Sequence, residues 1–502
     1  MQYSYKTEPY AHQREALEIS ADLSVYAYLF EMGLGKSKVV VDNAAYLWTQ
    51  GEIDALAVVA PNGVHRQWIN QQLPTHLPDY VPYQGAYWVS SPKKDERQAL
   101  DALWQPGDDL RVFAINVEGL STQKAKEALK SFLLARTAML VVDEASRIKT
   151  PGAKRTKALM NLGKHAPYRR ILTGSPITQG PLDVYSQFKF LDPEILGFST
   201  YTAFSHHFAE FQKRRTNNNR QGYFEELVAY KNLDELQDKI KQWSYRVKKE
   251  DVLDLPEKVY QTREVELGTE QKRLYKQLLE DGVASLGADT QDAEQALWDM
   301  LTGENPTVSV TNALSLQLRL QQILGNWMVD AEGESHKIEK TNRRLEQLKQ
   351  VLEETSGQVI VWAWFQNEIE EIYAELDEPT VLYYGMIDGQ TRQEAVEKFQ
   401  NGEARVFLGN PLAGGIGLNL TAANTVVYYS QAYSLEVRQQ SEDRAHRIGT
   451  TETVNYIDLQ APGTIDEKVT EALQKKADMA AHIIDGKELE ALSEGPVDSE
   501  FV

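Results

Sequence analysis

The sequence lacks cysteine entirely among its 502 residues. This absence excludes disulfide bonds, thiol nucleophiles and zinc sites with cysteine ligands. The sequence also lacks an apolar run of about eighteen residues, and its N-terminal stretch MQYSYKTEPYAHQREAL has no basic region followed by an apolar one. We therefore expect no membrane span and no signal peptide, and a soluble cytoplasmic protein whose chemistry uses other side chains.

Positive charge is scarce, since 53 Lys and Arg residues stand against 73 Asp and Glu residues, for a formal net charge of -20. This balance excludes a surface that is basic throughout, but it leaves room for a local basic groove that binds phosphates. The chain is long enough for roughly two or three domains, each with its own core. A single small binding module is therefore excluded.

Short apolar runs alternate with amphipathic stretches in two parts of the chain, which predicts parallel sheets covered by helices. The first part contains the runs SVYAYLF, ALAVVAP, LRVFAIN, AMLVVDEA and YRRILTGSP. The second part contains GQVIVWAWF, PTVLYYG, ARVFLGN, NTVVYYS and TVNYIDL. The fold class predicted is α/β, with two lobes.

The two lobes are predicted at residues 1–193 and 335–482. Residues 194–334 form a polar, helix-rich insertion, in which stretches such as LQLRLQQILGNWM suit helices that pack on one another. The insertion contains the basic loop FQKRRTNNNRQGY, which is either a solvated turn or a loop that contacts phosphates. Residues 483–502 are predicted to be an acidic, fraying tail.

The first motif with chemistry is FEMGLGKSKVVV, between a predicted strand and a predicted helix. Gly33 and Gly35 allow a tight turn, and Lys36 and Ser37 add an ammonium and a hydroxyl to the N–H groups of a helix N-terminus. These groups suit a triphosphate bound with magnesium. The alternative is a glycine turn that joins strand to helix in some other α/β protein.

The second motif, VVDEAS, puts two carboxylates at the end of a buried strand about a hundred residues later. Asp143 can reach a magnesium ion shared with Ser37, and Glu144 can accept a proton from an attacking water. Alone, such a pair is often a helix cap or a surface turn. Its combination with the lysine loop favours catalysis.

The third motif, QQSEDRAHRIG, carries Arg444 and Arg447 three residues apart, which predicts one helical face. Arginines placed in this way could neutralise charge that develops on a transferred phosphoryl group. The alternative is a charged helix that faces solvent.

These motifs, in this order, resemble helicase superfamily two and, within it, the Swi/Snf-type family of DNA-translocating and chromatin-remodelling ATPases. EMGLGKS is similar to the family's DEMGLGKT, with Phe30 where the family usually has Asp. QQSEDRAHRIG is similar to the family's QAEDRAHRIGQ, with Thr450 in place of the final glutamine. Gln440 lies in this same motif, and the resemblance makes it a coupling or DNA-facing residue.

Further motifs carry the resemblance over most of the chain. PYAHQREAL resembles the adenine-recognition motif, which makes Gln13 the candidate reader of adenine. VVAPNGVHRQW resembles a motif that faces the DNA backbone, and it contains Trp68. LTGSPITQG resembles the segment that couples hydrolysis to motion, which assigns that role to Thr173 and Ser175. LAGGIGLNL resembles the fifth motif and adds Gly417 to the nucleotide-binding residues.

The resemblance implies two RecA-like lobes with ATP and Mg²⁺ bound between them and double-stranded DNA as the track. Lys36, Asp143, Glu144, Arg444 and Arg447 are then the catalytic residues. One alternative is a helicase that separates DNA strands or acts on RNA, and another is a remodeller of a protein bound to nucleic acid. A nucleotide-gated scaffold without hydrolysis is disfavoured, because Glu144 and both arginines are retained. Oligomeric state stays open.

Overall fold

The computed structural model describes residues 3–215, 223–285, 293–294, 296–297, 310–330, 332–413 and 418–486. The chain divides into two compact units. Unit 1 comprises Met1–Phe208, Lys231–Leu253 and Ala480–Glu488, and unit 2 comprises Ala209–Tyr230, Asp254–Met479 and Leu489–Val502.

Unit 1 is built on a seven-stranded sheet with the strand order β3-β4-β2-β5-β6-β1-β9, and every neighbouring pair is parallel. Strands β1, β2 and β5 are buried along their whole length, as expected of strands covered on both faces. The strands are β1 Val25–Phe30, β2 Ala55–Ala60, β3 Tyr83–Tyr87, β4 Leu110–Asn116, β5 Ala138–Asp143, β6 Tyr168–Leu172 and β9 Ser244–Val247.

Helices precede, connect and follow these strands, and parallel strands require such connections. They are α1 Ala11–Ser20, α2 Lys36–Thr49, α3 Val64–Gln67, α4 Leu73–His76, α5 Lys94–Ala102, α6 Gln123–Ala135, α7 Lys154–Leu162, α8 Val184–Leu191, α9 Tyr201–Phe208, α10 Leu233–Lys241 and α11 Lys249–Val252. Helix α2 follows β1 after five residues, so the loop Glu31–Gly35, here named the glycine loop, lies at the carboxyl end of β1.

Unit 2 contains a six-stranded sheet, also parallel throughout, with the order β10-β17-β16-β13-β15-β14. Alternate residues of its central strand β13 enter two apolar clusters, Val359 and Val361 in one and Ile360 and Trp362 in the other. The strands are β10 Lys258–Glu264, β13 Gln358–Trp362, β14 Thr380–Tyr383, β15 Val406–Gly409, β16 Ala423–Tyr428 and β17 Val454–Gln460.

Within the described residues of unit 2 there are also two antiparallel strand pairs, β7 Ala209–Arg215 with β8 Tyr223–Tyr230, and β11 Trp327–Val329 with β12 Ser335–Lys337. Its helices are α12 Thr269–Ser285, α13 Val310–Leu324, α14 Arg343–Glu354, α15 Gln366–Glu375, α16 Gly389–Gln400, α17 Leu435–Glu442 and α18 Ile465–Asp485. The last six residues of α18 belong to unit 1.

The predicted α/β class with two parallel-sheet lobes is confirmed, and all ten apolar runs form strands of the two sheets. Strands β3, β9 and β10 of the two sheets were not predicted from the sequence, and the predicted tail begins too early, because Ile483–Asp485 complete α18. The other domain boundaries stay predictions. In the basic loop, residues 216–222 lie outside the described part of the chain.

A helix that crosses a bilayer needs about twenty mostly apolar residues. Within the residues that the structure describes, no helix is both long enough and apolar enough to cross a membrane.

Candidate nucleotide site

The glycine loop turns the chain from β1 into α2 through two residues in the left-handed region, Gly33 with φ +85° and Gly35 with φ +77°. Gly35 is also sterically confined, because a Cβ atom at this position would overlap Nε2 of Gln13. The first N–H groups of α2 have no partners within the helix and carry its positive dipole end, so they suit an anion. Ser37, in this first turn, is half-buried.

Gln13 lies against the glycine loop and is buried. Its Nε2 atom donates to the carbonyl oxygen of Leu34 at 3.0 Å, and its Oε1 atom accepts from the N–H of Tyr10 at 3.1 Å. The amide therefore joins helix α1 to the loop. Its predicted role as the reader of adenine stays a prediction.

Lys36 begins α2 and is buried. Its Nζ atom donates to the carbonyl oxygen of Phe30 at 2.8 Å and to that of Glu31 at 3.4 Å. The ammonium is thus held inside the turn of the glycine loop. A lysine in this place supplies a positive charge to a bound anion.

Asp143 ends β5, and both Asp143 and Tyr28 of β1 pair with Leu172 of β6. This register brings the carboxylate and the glycine loop to one edge of the sheet, because parallel strands end together there. Asp143 is buried, and burial raises the pKa of its carboxyl group, while the N–H of Trp68 and the charge of Lys36 act against that rise. The Lys36 ammonium and the Asp143 carboxylate therefore lie at the same edge of the sheet, and their roles at a nucleotide stay predictions.

The donor set fits magnesium. A carboxylate from Asp143 and a hydroxyl from Ser37 are oxygen ligands, and Mg²⁺ is commonly held by one or two protein oxygens together with the phosphates of its nucleotide. The Oδ1 atom of Asp143 accepts from the N–H of Glu144 at 3.1 Å, which restricts the orientation of the carboxylate.

Glu144 follows in a left-handed conformation, with φ 53° and ψ 63°. This conformation costs roughly 1–3 kcal/mol for a residue other than glycine and is concentrated at functional sites. The side chain is buried. The conformation turns the chain sharply away from β5 directly after Asp143.

Trp68 is buried inside unit 1. It begins a single π-helical turn, Trp68–Gln72, and its side chain is 0% exposed. Its Nε1 atom donates to Oδ2 of Asp143 at 2.9 Å. The indole is thus buried against Asp143, and the DNA-facing role that the resemblance implies for the motif around Trp68 stays a prediction. A coupling role stays a prediction.

Thr173 and Ser175 follow β6 on the same edge of the sheet. Oγ1 of the buried Thr173 accepts from the N–H of Ser175 at 3.1 Å. Between them, a Cβ atom on Gly174 would lie 3.3 Å from the carbonyl oxygen of Phe30, so this segment packs closely on the start of the glycine loop. The contact suits the coupling role that the resemblance implies, which stays a prediction.

Arg444 and Arg447 belong to unit 2, and their predicted position on one helical face is wrong. Helix α17 ends at Glu442, and both arginines lie in the turns that follow. The Thr450 Oγ1 atom stabilises these turns, because it accepts from the N–H of Arg447 at 3.1 Å and donates to the carbonyl oxygen of Ala445 at 2.6 Å. Thr450 thus has a local structural role here.

The two arginines differ in their surroundings. Arg444 is buried. Arg447 is half-buried and donates from Nη1 to the carbonyl oxygen of Leu418 at 3.0 Å. Burial lowers the pKa of its guanidinium, and Asp443 acts in the opposite direction. Gln440 is half-buried and donates to Oε1 of Glu436 at 3.2 Å. Gly417 lies outside the described residues.

A buried polar network under α17 was missed by the sequence analysis. Arg438 donates to Glu442 at 2.8 Å and to Asp458 at 2.7 Å, and its guanidinium lies 3.7 Å from the ring centroid of Tyr428. Lys258 pairs with the same Glu442 at 3.1 Å. Although burial opposes it, these two cations lower the pKa of Glu442. The i, i+4 spacing of Arg438 and Glu442 is the only local signal in the sequence.

Comparison with known families gives two matches. Residues 27–327 match the model of the SNF2-related domain, and residues 343–449 match that of the helicase conserved C-terminal domain.

Comparison with curated proteins gives relatives that are longer than this chain. A Bacillus subtilis protein provisionally named ATP-dependent helicase/translocase YwqA is 28% identical over 463 residues, which are 90% of this chain and 46% of the relative. The ISWI chromatin-remodeling complex ATPase CHR11 of Arabidopsis thaliana is 26% identical over 477 residues, 90% of this chain and 40% of the relative. The chain thus spans less than half the length of these relatives.

Comparison with solved structures gives the SWI2/SNF2 ATPase core of Sulfolobus solfataricus in complex with double-stranded DNA. It is 22% identical with a TM-score of 0.41, and the alignment covers 97% of this chain and 95% of the other.

Proposed function

Because the chain belongs to the SNF2-related domain family, we propose that it is an ATPase that uses hydrolysis to move along double-stranded DNA. The observation that carries the proposal is that the glycine loop, which holds the Lys36 ammonium, and the strand end at Asp143 lie at one edge of the unit 1 sheet. A lysine on a glycine loop and a carboxylate at a nearby strand end are the groups that phosphoryl transfer from ATP uses.

Each candidate site residue of unit 1 then has a role in binding or hydrolysing ATP. Lys36 and the first N–H groups of α2 bind the phosphates, and Ser37 and Asp143 hold Mg²⁺. The metal neutralises charge on the phosphate oxygens. Glu144 orients the attacking water and accepts its proton. Gln13 reads the adenine edge.

Unit 2 contributes the arginines. Arg444 and Arg447 neutralise the charge that develops on the transferred phosphoryl group, and Gly417 belongs to the nucleotide-binding set. Because these contacts strengthen in the transition state, they raise turnover more than affinity. Thr173, Ser175 and Gln440 couple hydrolysis to movement.

The track is proposed to be a DNA duplex. The names of the relatives, which include a helicase/translocase and a chromatin-remodeling ATPase, support a motor that acts on DNA. Contacts to phosphates are independent of sequence and weaken with salt, as a motor that works on any sequence requires. The net charge of -20 means that such contacts are confined to a local surface.

The test is steady-state ATP hydrolysis without a polymer, with duplex DNA, with single-stranded DNA and with RNA, each at two salt concentrations. We expect strong stimulation by the duplex that falls at the higher salt concentration, and no hydrolysis by Lys36→Ala. Displacement of a third strand from a DNA triplex then tests movement.

Other outcomes point to the other activities. Stimulation by single strands or RNA alone would replace the translocase with a strand-separating or RNA-directed helicase. Stimulation that needs a DNA-bound protein would make that complex the substrate. Hydrolysis by Lys36→Ala at the parent rate would contradict the proposal that the glycine loop and Lys36 bind the nucleotide.

A further inference from the structure

Arg246, on strand β9, ties two parts of the candidate site together. Its Nη1 atom donates to the carbonyl oxygen of Leu29 at 3.0 Å and to that of Gly174 at 3.1 Å. Its Nη2 atom donates to Oε1 of Glu31 at 3.4 Å. A single guanidinium thus contacts the end of β1, the first residue of the glycine loop and the segment after β6.

The position of these contacts matters because the backbone pairing of β1 with β6 stops just before them. The paired residues end at Tyr28 and Leu172, and one more bond joins the N–H of Thr173 to the carbonyl oxygen of Tyr28 at 3.2 Å. Beyond that point, Arg246 bridges the two chain segments with its side chain. It therefore fixes the spacing of the two strand ends from which the glycine loop and the Thr173–Ser175 segment leave the sheet.

Glu31 is held by further contacts from the segment around Arg246. Its N–H donates to the carbonyl oxygen of Val247 at 3.0 Å, and its Oε2 atom accepts from the N–H of Lys249 at 2.9 Å. Since Lys36 donates to the carbonyl oxygens of Phe30 and Glu31, a shift of Glu31 moves acceptors of the Lys36 ammonium.

The orientation of Arg246 is in turn set by Asp485, the last residue of α18 and 239 positions away in sequence. Oδ1 of Asp485 accepts from Nε of Arg246 at 2.8 Å, and Oδ2 lies 3.4 Å from Nζ of Lys248. The Asp485 side chain is only 9% exposed, so the pair is largely shielded from solvent. A guanidinium is planar, and an acceptor on Nε therefore restricts the directions of its two other nitrogens.

We propose that Asp485 is a positioning residue for the glycine loop, acting through Arg246, so that the C-terminal end of α18 sets the nucleotide affinity of unit 1. This inference rests on the proposed function, because it assigns an effect on the same nucleotide site. All the residues in the chain of contacts, from Asp485 through Arg246 to Leu29, Glu31 and Gly174, belong to unit 1.

The experiment compares Asp485→Asn with Asp478→Asn in the full chain. Asp478 is an exposed carboxylate on the same helix that accepts from Gln474, so it controls for the loss of one charge from α18. We expect the dissociation constant of MgADP, measured by calorimetry, to rise about 3- to 10-fold in Asp485→Asn and to stay at the parent value in Asp478→Asn. The KM for ATP should rise by the same factor while kcat changes less.

Two further variants separate positioning from folding. Asp485→Glu keeps the charge and should recover most of the affinity. Arg246→Lys removes the fork of donors, so adding Asp485→Asn to it should weaken MgADP binding little further, because interacting residues have non-additive effects.

The outcomes are distinct. A parent protein that does not bind MgADP would refute the proposed function and this inference together. A parent that binds MgADP, with an Asp485→Asn variant of equal affinity, would overturn this inference alone. A lower melting temperature in Asp485→Asn with unchanged affinity would also overturn it, since a purely structural contact predicts that result.

Discussion

The indole N–H of Trp68 donates to Oδ2 of Asp143 at 2.9 Å, joining residues that are 75 positions apart. Burial raises the pKa of Asp143, and this hydrogen bond is the largest influence that opposes the rise. A carboxylate that holds Mg²⁺ must be ionised, so the indole helps to keep Asp143 in its active form.

Trp68→Phe should therefore shift the pH dependence of hydrolysis. Without the N–H donor the pKa of Asp143 rises further, and Asp143 becomes protonated at a higher pH. The acid limb of kcat/KM for ATP is expected to move to higher pH, with a smaller effect at alkaline pH. Trp104→Phe, at a half-exposed tryptophan of the same unit, is the control. An unchanged acid limb in Trp68→Phe would contradict the assignment.

Glu144→Gln should separate binding from chemistry. The amide keeps the size of the side chain but cannot accept a proton, so turnover is expected to fall about a hundredfold or more while ATP affinity is retained. Single-turnover hydrolysis and nucleotide binding measure the two effects. The exposed Glu118→Gln is the matched control. Hydrolysis by Glu144→Gln at the parent rate would remove Glu144 as the base.

Arg447→Ala should lower turnover by about a hundredfold or more, because charge stabilisation of a transferred phosphoryl group is large. ATP affinity should change by only about threefold, since the contact strengthens in the transition state. Arg263→Ala, at a half-buried arginine of unit 2, is the control. Equal losses of affinity and turnover would make Arg447 a ground-state binding residue.

Arg444→Ala is expected to show the same division between turnover and affinity. Arg444 is buried, however, so its substitution also tests the packing of unit 2. A melting temperature measured beside the kinetics distinguishes the two causes. Loss of turnover at an unchanged melting temperature supports the catalytic role.

Glu368, on α15, predicts a pH dependence of stability. Burial raises its pKa from 4.5 to about 7, although the Ser430 hydroxyl and the charge of Arg344 favour its ionised form. The folded chain therefore keeps a proton that the unfolded chain loses. This contribution to the free energy of unfolding is fully present below pH 4.5 and is lost as pH rises towards 7, by on the order of 3 kcal/mol.

Glu368→Gln should flatten this dependence, because the amide is neutral at every pH. Hydrogen-exchange mass spectrometry of β13 at increasing urea concentrations gives the urea midpoint of unfolding. Measuring this midpoint between pH 5 and 7.5 tests the prediction. Glu370→Gln on the exposed side of α15 is the control. If the urea midpoint of the parent and that of Glu368→Gln changed equally with pH, Glu368 would be ionised in the folded chain.

The sheets were predictable because their central strands are buried on both faces and therefore form continuous apolar runs, as in VYAYLF of β1. Strand β10, with the sequence KVYQTRE, is largely exposed, and SYRV of β9 is half-buried. Both lie at sheet edges, where burial does not impose an apolar run. Their positions depend on pairing partners that are distant in sequence.

The site shows the same division. The sequence was sufficient to predict the glycines, Lys36, Asp143 and Glu144 as site candidates, because nucleotide chemistry needs those residue types in short motifs. Two contacts could not be predicted, because each joins segments that are distant in sequence. They are the bond of Trp68 to Asp143 and the pairing of Arg246 with Asp485. The end of α17 at Glu442 was missed because the turn after it depends on a side-chain bond from Thr450.

Position 35 is subject to two independent demands, a left-handed backbone and the space taken by the Gln13 amide. A smaller residue at position 13 relieves the second demand and leaves the first, while asparagine at position 35 eases the first and worsens the second. Any single substitution of Gly35 therefore meets a strained backbone, a displaced Gln13 amide, or both. Positions 13 and 35 should therefore evolve together, because the side chain at one position limits the space for a side chain at the other.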